Sequence, residues 1–235
     1  MFNDLELINI HLRSLYTVNS RSQLLFVNEP DNATIPAPRM FLGRTIEGNV
    51  WGFRAGLPHT VCEELNAFCD DEPPLKGEYK QPPRHLEAYL RVLEPVSNKQ
   101  NISNGIAYQF PGSEAPQTEV IAVTEENEQV LRGGFEGSIQ ELPAWQPFVA
   151  LIKDNRAVSI CRSARITTEA HEAGVETLEE FRGNGYANKV VLEWARRVRQ
   201  MGRLPMYSTS WENVASQAVA RKLGLRCYGV TFEVT

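Results

Sequence analysis

The chain has 235 residues, 42% of them hydrophobic and 23% charged, with a formal net charge of −5. This balance excludes a disordered chain, and the acidic charge argues against binding of nucleic acid or anionic membranes through bulk charge. No apolar run reaches the length of a membrane span, and residues 1–6 are acidic where a signal peptide is basic. We therefore expect a cytoplasmic protein with no nucleic-acid or membrane partner.

The cysteines and histidines give no metal pattern. The four cysteines form no Cys-x-x-Cys pair, and the four histidines are scattered. A reducing cytoplasm disfavours disulfides, and two cysteines two helical turns apart are typical of small buried side chains. We expect free thiols and no metal.

The first hundred residues predict short helices and strands. Periodicity indicates a helix over residues 5–15, a strand over 24–27 and a hairpin formed by strands 40–44 and 49–53. Helices over residues 58–69 and 84–93 follow. The polar segment 97–105 contains three Asn and no aromatic residue, which predicts a boundary. We expect a smaller α+β region over residues 1–100 and a second domain over 101–235.

Beyond the boundary the pattern changes to strands alternating with helices, which is typical of an α/β fold. The strands are predicted at residues 106–110, 120–123, 148–153, 157–163, 170–178, 204–209 and 227–234. The helices are predicted at residues 125–131, 185–201 and 213–223.

The turn that follows the strand at 170–178 is the most informative segment. It reads Arg182-Gly183-Asn184-Gly185-Tyr186-Ala187 and opens a long helix. A helix N-terminus offers unpaired N–H groups to a phosphate, and Gly183 and Gly185 let the backbone approach an anion. The motif is neither a Walker loop nor a dinucleotide fingerprint. The residues alone leave two interpretations open: a phosphate site, or a connection whose glycines only set the turn.

The same turn resembles the Arg/Gln-x-x-Gly-x-Gly/Ala signature of the GCN5-related N-acetyltransferases, the GNAT superfamily. Downstream, Asn213 and the run Lys222-Leu223-Gly224 resemble the family's Asn-bearing last helix and its ending. The resemblance is specific over residues 149–234, loose from residue 104 and absent before it. It implies a mixed, twisted sheet flanked by helices.

The resemblance also implies acetyl-CoA as co-substrate, held between two parallel strands that splay apart, here residues 170–178 and 204–209. The pantetheine arm would pair with the first strand, the pyrophosphate would lie on the turn, and the last helix would face the arm's other side. The residues that match the family's cofactor site are Val175, Glu176, Thr177, Arg182, Gly183, Asn184, Gly185, Tyr186, Ala187, Asn213 and Ser216.

Strand alternation selects the candidate catalytic residues. Glu172 and Glu176 share one strand face, and His171 lies on the other. Two carboxylates on a central strand indicate a wet cleft, and at about 13 Å apart they cannot share a proton. Glu172 resembles the family's strand-borne base, displaced by about one residue, and Glu176 lies nearer the expected thioester. Each is a separate candidate to support proton removal from an amine, and the alternative is a pair of solvated acids.

The sequence departs from the family at the proton donor. Many members carry a Tyr seven residues after the Asn of the last helix, where this sequence has Ala220. Tyr207, Ser208 and Tyr228 are possible substitutes.

We therefore expect an N-acetyltransferase that moves the acetyl group of acetyl-CoA to a primary amine by direct attack in a ternary complex. The acceptor is a small molecule or a protein, an oligomer is possible, and transfer of a longer acyl group stays open. Ala220 supports an alternative, a non-catalytic CoA-binding regulatory module. The apolar faces of residues 1–100 need a partner, so we expect this region to pack on the sheet and wall the acceptor side of the cleft.

Overall fold

The protein is described by a computed structural model covering residues 2–31, 34–97, 99–112 and 115–235. The strands are β1 (Tyr16–Val18), β2 (Leu24–Val27), β3 (Met40–Arg44), β4 (Asn49–Phe53), β5 (Ile102–Gln109), β6 (Val120–Ala122), β7 (Phe148–Lys153), β8 (Arg156–Ile166), β9 (Ala170–Thr177), β10 (Leu204–Ser210) and β11 (Arg226–Val234). The helices are α1 (Asp4–Leu15), α2 (His59–Asp71), α3 (Leu86–Leu93), α4 (Tyr186–Gln200) and α5 (Val214–Lys222).

Among the described residues, nine strands form one mixed sheet in the order β4-β3-β11-β5-β10-β9-β8-β7-β6, and β1 and β2 form a separate ribbon. Neighbouring strands are antiparallel except β9 and β10, which are parallel. Parallel neighbours need a crossover connection, and α4 supplies it. This mixed sheet with flanking helices confirms the predicted fold class.

The parallel pair of β9 and β10 is short. Its register runs only from Leu204 opposite Ala170 to Met206 opposite Glu172. Beyond that point β9 stays paired with β8 as far as Thr177, and β10 stays paired with β5 as far as Ser210. The two strands therefore part, and a gap opens in the middle of the sheet.

The helices cover the two faces of the sheet unequally. One face packs against α4 and α5 around Trp194, Val190 and Val191, which are fully buried as their helical spacing predicts. The opposite face packs against α1 through Leu7 and Ile8. The two faces of the gap therefore meet different parts of the chain.

The N-terminal hairpin continues the sheet. Strand β3 pairs with β11 from Met40 opposite Val234 to Arg44 opposite Val230. Helix α1 approaches these strands closely, because a side chain at Gly43 would collide with Ile8. Residues from 1–100 and from 101–235 therefore share one sheet, and the division into two domains stays a prediction.

Three local predictions were wrong. Strand β5 begins at Ile102, four residues before the predicted start at residue 106 and inside the segment 97–105 expected to hold the domain boundary, of which Asn98 lies outside the described residues. This part of the strand is polar because Ser103 and Gly105 line a pocket. The helix expected over 125–131 is only a 3₁₀ turn, Glu128–Leu131, and strand β1 was missed.

Candidate active site

The turn before α4 has the backbone of an anion site. Gly185 is the capping residue of α4 in the left-handed conformation, with φ of 77°, and Gly183 has φ of 83°. No side-chain hydrogen bond caps the helix, so its first N–H groups point towards the space in front of it. A Cβ added at either glycine would meet nothing within 4 Å in the described structure. Both glycines therefore border open space that a ligand can fill.

A cleft of about 770 Å³ opens in front of this turn, on the α4–α5 side of the sheet. We call it the cofactor cleft. Of the eleven residues that the sequence assigned to the cofactor, all but Asn184 line it. Asn184 instead donates a hydrogen bond from Nδ2 to the backbone oxygen of Phe181, at 3.1 Å. Its side chain therefore holds the shape of the turn.

Helix α5 forms the wall of the cofactor cleft opposite β9. Asn213 caps α5 by accepting a hydrogen bond from the backbone N–H of Ser216, at 3.0 Å. The sequence analysis missed several residues of the cleft, including Gly134, Phe135 and Lys222. Lys222 lies in the recognised ending of α5 and its charge could have marked it, whereas Gly134 and Phe135 come from a segment with no signal.

Glu176 lies at the edge of the cofactor cleft with its side chain about half exposed. Its carboxylate forms an ion pair with Nη1 of Arg162 at 2.5 Å. Arg162 in turn stacks on the ring of Trp145, 4.2 Å from the ring centre. The carboxylate of Glu176 is thus held at the rim by a cation.

Glu172 is only 3% exposed and faces α1. Its Oε1 lies 2.6 Å from Nδ1 of His11, and Ser208 donates a hydrogen bond to Oε2 at 3.3 Å. His171 points to the opposite face, where its Nδ1 lies 2.9 Å from Oγ of Ser163. Burial lowers the pKa of His171 to about 4, so this ring is neutral at pH 7. The structure therefore places Glu172 and His171 on the predicted faces.

A second cavity, of about 310 Å³, lies on the α1 side of the gap; we call it the polar pocket. Its floor carries small polar side chains from β5, β10 and β11 together with one glycine and one acid. They are Ser103, Gly105, Ser208, Ser210, Thr231 and Glu233. Gly105 leaves room beside Thr231 on the pocket floor, because a Cβ at this position would lie 2.6 Å from Oγ1 of Thr231 and collide with it. Sequence analysis assigned none of these residues to a site, except Ser208 as a possible proton donor.

The walls of the polar pocket come mainly from the N-terminal segment. His11 and Leu15 of α1, Tyr16 and Val27 line it, as does Arg165 of β8. Nη1 of Arg165 lies 2.9 Å from a carboxylate oxygen of Glu29, so this cation is already paired.

Glu233 is the acid of the pocket floor. Burial raises the pKa of Glu233, and the hydrogen bond from Tyr16 and the nearby His11 only partly offset that rise. A positively charged group bound in the polar pocket would therefore stabilise the ionised form of Glu233.

A profile of the GNAT acetyltransferase family matches residues 148–230 of this chain, which include the parted strands, the turn and all of α5. The C-terminal half of the chain is a GNAT domain. It therefore belongs to a superfamily of acyl-CoA-dependent N-acyltransferases. The profile does not reach α1, the β1–β2 ribbon or the β3–β4 hairpin.

Solved structures give further similarities. A GCN5-related N-acetyltransferase-like protein from Streptococcus suis is 15% identical, with a TM-score of 0.49, and the match covers 85% of each chain. A GNAT-family acetyltransferase from Novosphingobium aromaticivorans is also 15% identical, with a TM-score of 0.45, over 57% of this chain. The match spans 64% of the Novosphingobium protein. No curated protein sequence matches the chain.

The GNAT domain has an alanine where many family members carry a tyrosine. Ala220 belongs to α5 and is fully buried in the core that this helix shares with α4. Of the three substitutes named from sequence, Tyr207 faces the α4–α5 side, and its hydroxyl lies 2.7 Å from Oγ of Ser216, which lines the cofactor cleft. Burial raises the pKa of Tyr207 to about 12, so the phenol keeps its proton at pH 7. Ser208 and Tyr228 lie on the α1 side.

Among the described residues, no cluster of three or more His, Cys, Asp or Glu side chains is placed to hold a metal ion. No helix within the described ranges has both the length and the apolar character needed to cross a bilayer.

Proposed function

We propose that this protein transfers the acetyl group of acetyl-CoA to a primary amine by direct attack in a ternary complex. One observation carries the proposal: two cavities lie on opposite faces of the sheet, and both adjoin the gap between β9 and β10. A cofactor on the α4–α5 side can present its thioester in the gap, and an amine on the α1 side can reach it there. Binding both reactants beside one gap supplies the proximity that a direct transfer needs.

The cofactor cleft fits acetyl-CoA. The free N–H groups of α4 and the open space at Gly183 and Gly185 suit the pyrophosphate, and Arg182 and Lys222 add positive charge. The backbone of β9 from Val175 to Thr177 borders the cleft beyond the end of its pairing with β10. Those backbone groups suit the amides of a pantetheine arm.

When bound, acetyl-CoA supplies an acetyl group activated as a thioester. The protein's own residues then have two tasks: to remove a proton from the incoming amine and to provide one for the departing thiolate. We place the first task on the α1 side of the gap, where Glu172 of β9 contacts His11 of α1. Glu176 stays a candidate at the rim of the cofactor cleft, where Arg162 holds its carboxylate. We assign the second task to the hydroxyl pair of Tyr207 and Ser216.

We propose the cytoplasm as the site of action. All four cysteines, Cys62, Cys69, Cys161 and Cys227, are free thiols, which agrees with a reducing compartment.

The same cysteines are unsuited to nucleophilic catalysis. Burial raises the pKa of each thiol, and such thiols are poor nucleophiles. The cysteines are therefore not expected to form an acetylated intermediate.

The test is release of the CoA thiol from acetyl-CoA by purified protein given a panel of primary amines, with mass spectrometry of each amine for the added acetyl group. The proposal expects at least one amine to give stoichiometric thiol and acetylated product. Calorimetric binding of acetyl-CoA with no thiol release from any amine would contradict it and would favour a non-catalytic CoA-binding module.

A further inference from the structure

The polar pocket contains a histidine that the mechanism has so far not used. His11 comes from α1, outside the segment that matches the GNAT family, and it lines the pocket. Both side chains are buried, His11 to 1% and Glu172 to 3% exposure, but of the two only His11 lines the polar pocket. An amine in the polar pocket therefore meets the imidazole of His11 before it can meet the carboxylate of Glu172.

The close approach of Glu172 favours one tautomer of His11. Nδ1 of His11 lies 2.6 Å from Oε1 of Glu172, although the two atoms are not aligned as a hydrogen bond. A carboxylate at this distance repels a lone pair on Nδ1, so the neutral ring carries its hydrogen on Nδ1 and its lone pair on Nε2. A negative carboxylate also stabilises the positive ring that forms when Nε2 takes a proton. The second oxygen of Glu172 is held by Ser208, so the carboxylate is fixed in position.

The charges around the polar pocket select the substrate. Arg165 is paired with Glu29, whereas the carboxylate of Glu172 and the carboxyl group of Glu233 face the region around His11 from β9 and β11. Tyr228 also lies edge-on to His11, with ring centres 6.2 Å apart, and the pocket's hydroxyl groups are neutral. Leu15 and Val27 offer an apolar wall. A volume of about 310 Å³ lies at the lower end for small-molecule sites.

We propose that His11 is the base that takes a proton from the acceptor, that Glu172 positions it, and that the polar pocket admits a small primary amine with no negative charge. This inference rests on the proposed function. The ammonium form of the amine gives one proton to Nε2 of His11, and the nitrogen lone pair then forms the C–N bond. The C–S bond breaks with its electrons on sulfur, which takes a proton from the hydroxyl pair of Tyr207 and Ser216 and leaves as the thiol, and the second proton displaced from nitrogen returns to that pair. His11 returns its proton to water.

The experiment compares His11→Asn with His59→Asn, a matched change at an exposed histidine of α2. Asn can still donate to Glu172 but has no basic nitrogen. We expect His11→Asn to lower kcat about 100-fold, the usual contribution of a general base, with the affinity for acetyl-CoA unchanged in calorimetry. We expect His59→Asn to retain full activity, and added imidazole to restore part of the activity of His11→Ala.

The role of Glu172 has its own readout. Glu172→Gln removes the charge that stabilises the imidazolium, so the acidic limb of the pH–rate profile should move to lower pH. A merely structural role would lower activity without moving that limb. If His11→Asn fails to bind acetyl-CoA, the pH–rate profile of Glu172→Gln decides whether His11 acts as the base.

The substrate class is tested with amines at matched concentration. Small cationic amines should release thiol at least tenfold faster than amines that carry a carboxylate or than lysine-containing peptides. Unchanged kcat and pH profile in His11→Asn, or equal rates for peptides and small amines, would overturn this inference alone. A wild-type protein that acetylates no amine would overturn the proposed function and this inference with it.

Discussion

The two cavities beside the gap are built in different ways. The cofactor cleft is bordered by one continuous run of backbone, from Val175 through the turn to α4, together with α5. The polar pocket is bordered by single side chains from seven strands and helices that are far apart in the sequence. A site made of backbone accepts one ligand shape and tolerates many side chains, whereas a site made of side chains can change its ligand by substitution. The first suits a cofactor shared by a superfamily, and the second suits a particular acceptor.

The largest expected effect comes from removing the segment that supplies the pocket wall. Deleting residues 1–98 strips α1 from Ala107, Met206 and Tyr228 and removes β3 from the edge of β11. The exposed apolar face and the bare strand edge should make the remainder insoluble. The check is the soluble yield and thermal unfolding of the deleted chain, beside a chain that lacks only residues 1–2.

A soluble remainder that melts at the original temperature and acetylates the same amines would contradict a shared sheet and an N-terminal pocket wall. The cofactor cleft and the polar pocket would then belong to a domain that needs nothing from residues 1–98.

The next largest effect should be confined to the cofactor cleft. Gly185→Asp puts a bulky negative group where the pyrophosphate binds and should weaken acetyl-CoA binding at least tenfold, about 1.4 kcal/mol. The matched control is Gly202→Asp at the other end of α4, because Gly202 has nearly the same φ, 73°, and also borders open space. Both variants carry the same backbone strain. Calorimetry showing equal affinity in the two would end the assignment of the turn to the pyrophosphate.

Glu233→Gln should act on the polar pocket alone. It removes a carboxyl group whose ionised form a bound ammonium would stabilise, so KM for a cationic amine should rise about tenfold, or ~1.4 kcal/mol, while the affinity for acetyl-CoA stays constant. Glu87→Gln on the exposed surface of α3 is the control. A change in acetyl-CoA affinity with no change in the amine KM would reverse the assignment of the two cavities.

Tyr207→Phe tests the proton donor on the cofactor side. It removes one hydroxyl from the pair with Ser216, and the loss of about 1 kcal/mol should lower kcat about fivefold. The KM for the amine should not move, because Tyr207 faces α4 and α5. Steady-state kinetics with the amine varied gives both numbers, and an unchanged kcat would exclude Tyr207 as donor.

The smallest expected effect is on thermal stability and concerns His171, the histidine on the face of the sheet opposite His11. His171 stays neutral when folded down to about pH 4, whereas an unfolded histidine takes up a proton near pH 6.5. Its contribution to stability is complete above pH 6.5 and is lost as the pH falls towards 4. His171→Gln should therefore lose less thermal stability between pH 7 and pH 5 than the wild type does, by roughly 4–7 °C. If the melting temperatures of the variant and the wild type fell in parallel between pH 7 and pH 5, His171 would be taking up a proton in the folded protein over this range, and the prediction would be wrong.

That these residues border one cleft could be predicted because the signals are local, whereas their binding of a cofactor stays a prediction. The glycines of the turn and the apolar stripe of α4 lie within one short segment, and ten of the eleven assigned residues line the cleft. Asn184 is the exception, because its side-chain rotamer directs it to the backbone oxygen of Phe181, and sequence spacing does not predict a rotamer. The bounds of β3, β4 and β7 were also predicted, because turn residues mark where these strands end.

The polar pocket was not predictable because it depends on register between distant strands. Ser103 and Gly105 resemble linker residues until β11 and β10 are placed beside them. His11 lies in an amphipathic helix whose sequence gives no indication of Glu172, 161 positions later, as its partner. Only the packing of α1 on the sheet brings them together.

Hydrogen–deuterium exchange with and without acetyl-CoA tests the two-sided site most directly. The account predicts slower exchange in peptides covering residues 175–187 and 213–219, which border the cofactor cleft, and unchanged exchange in residues 5–15 of α1. Slower exchange in α1 and in residues 103–107, with none at residues 182–188, would place the cofactor on the opposite face and contradict the account.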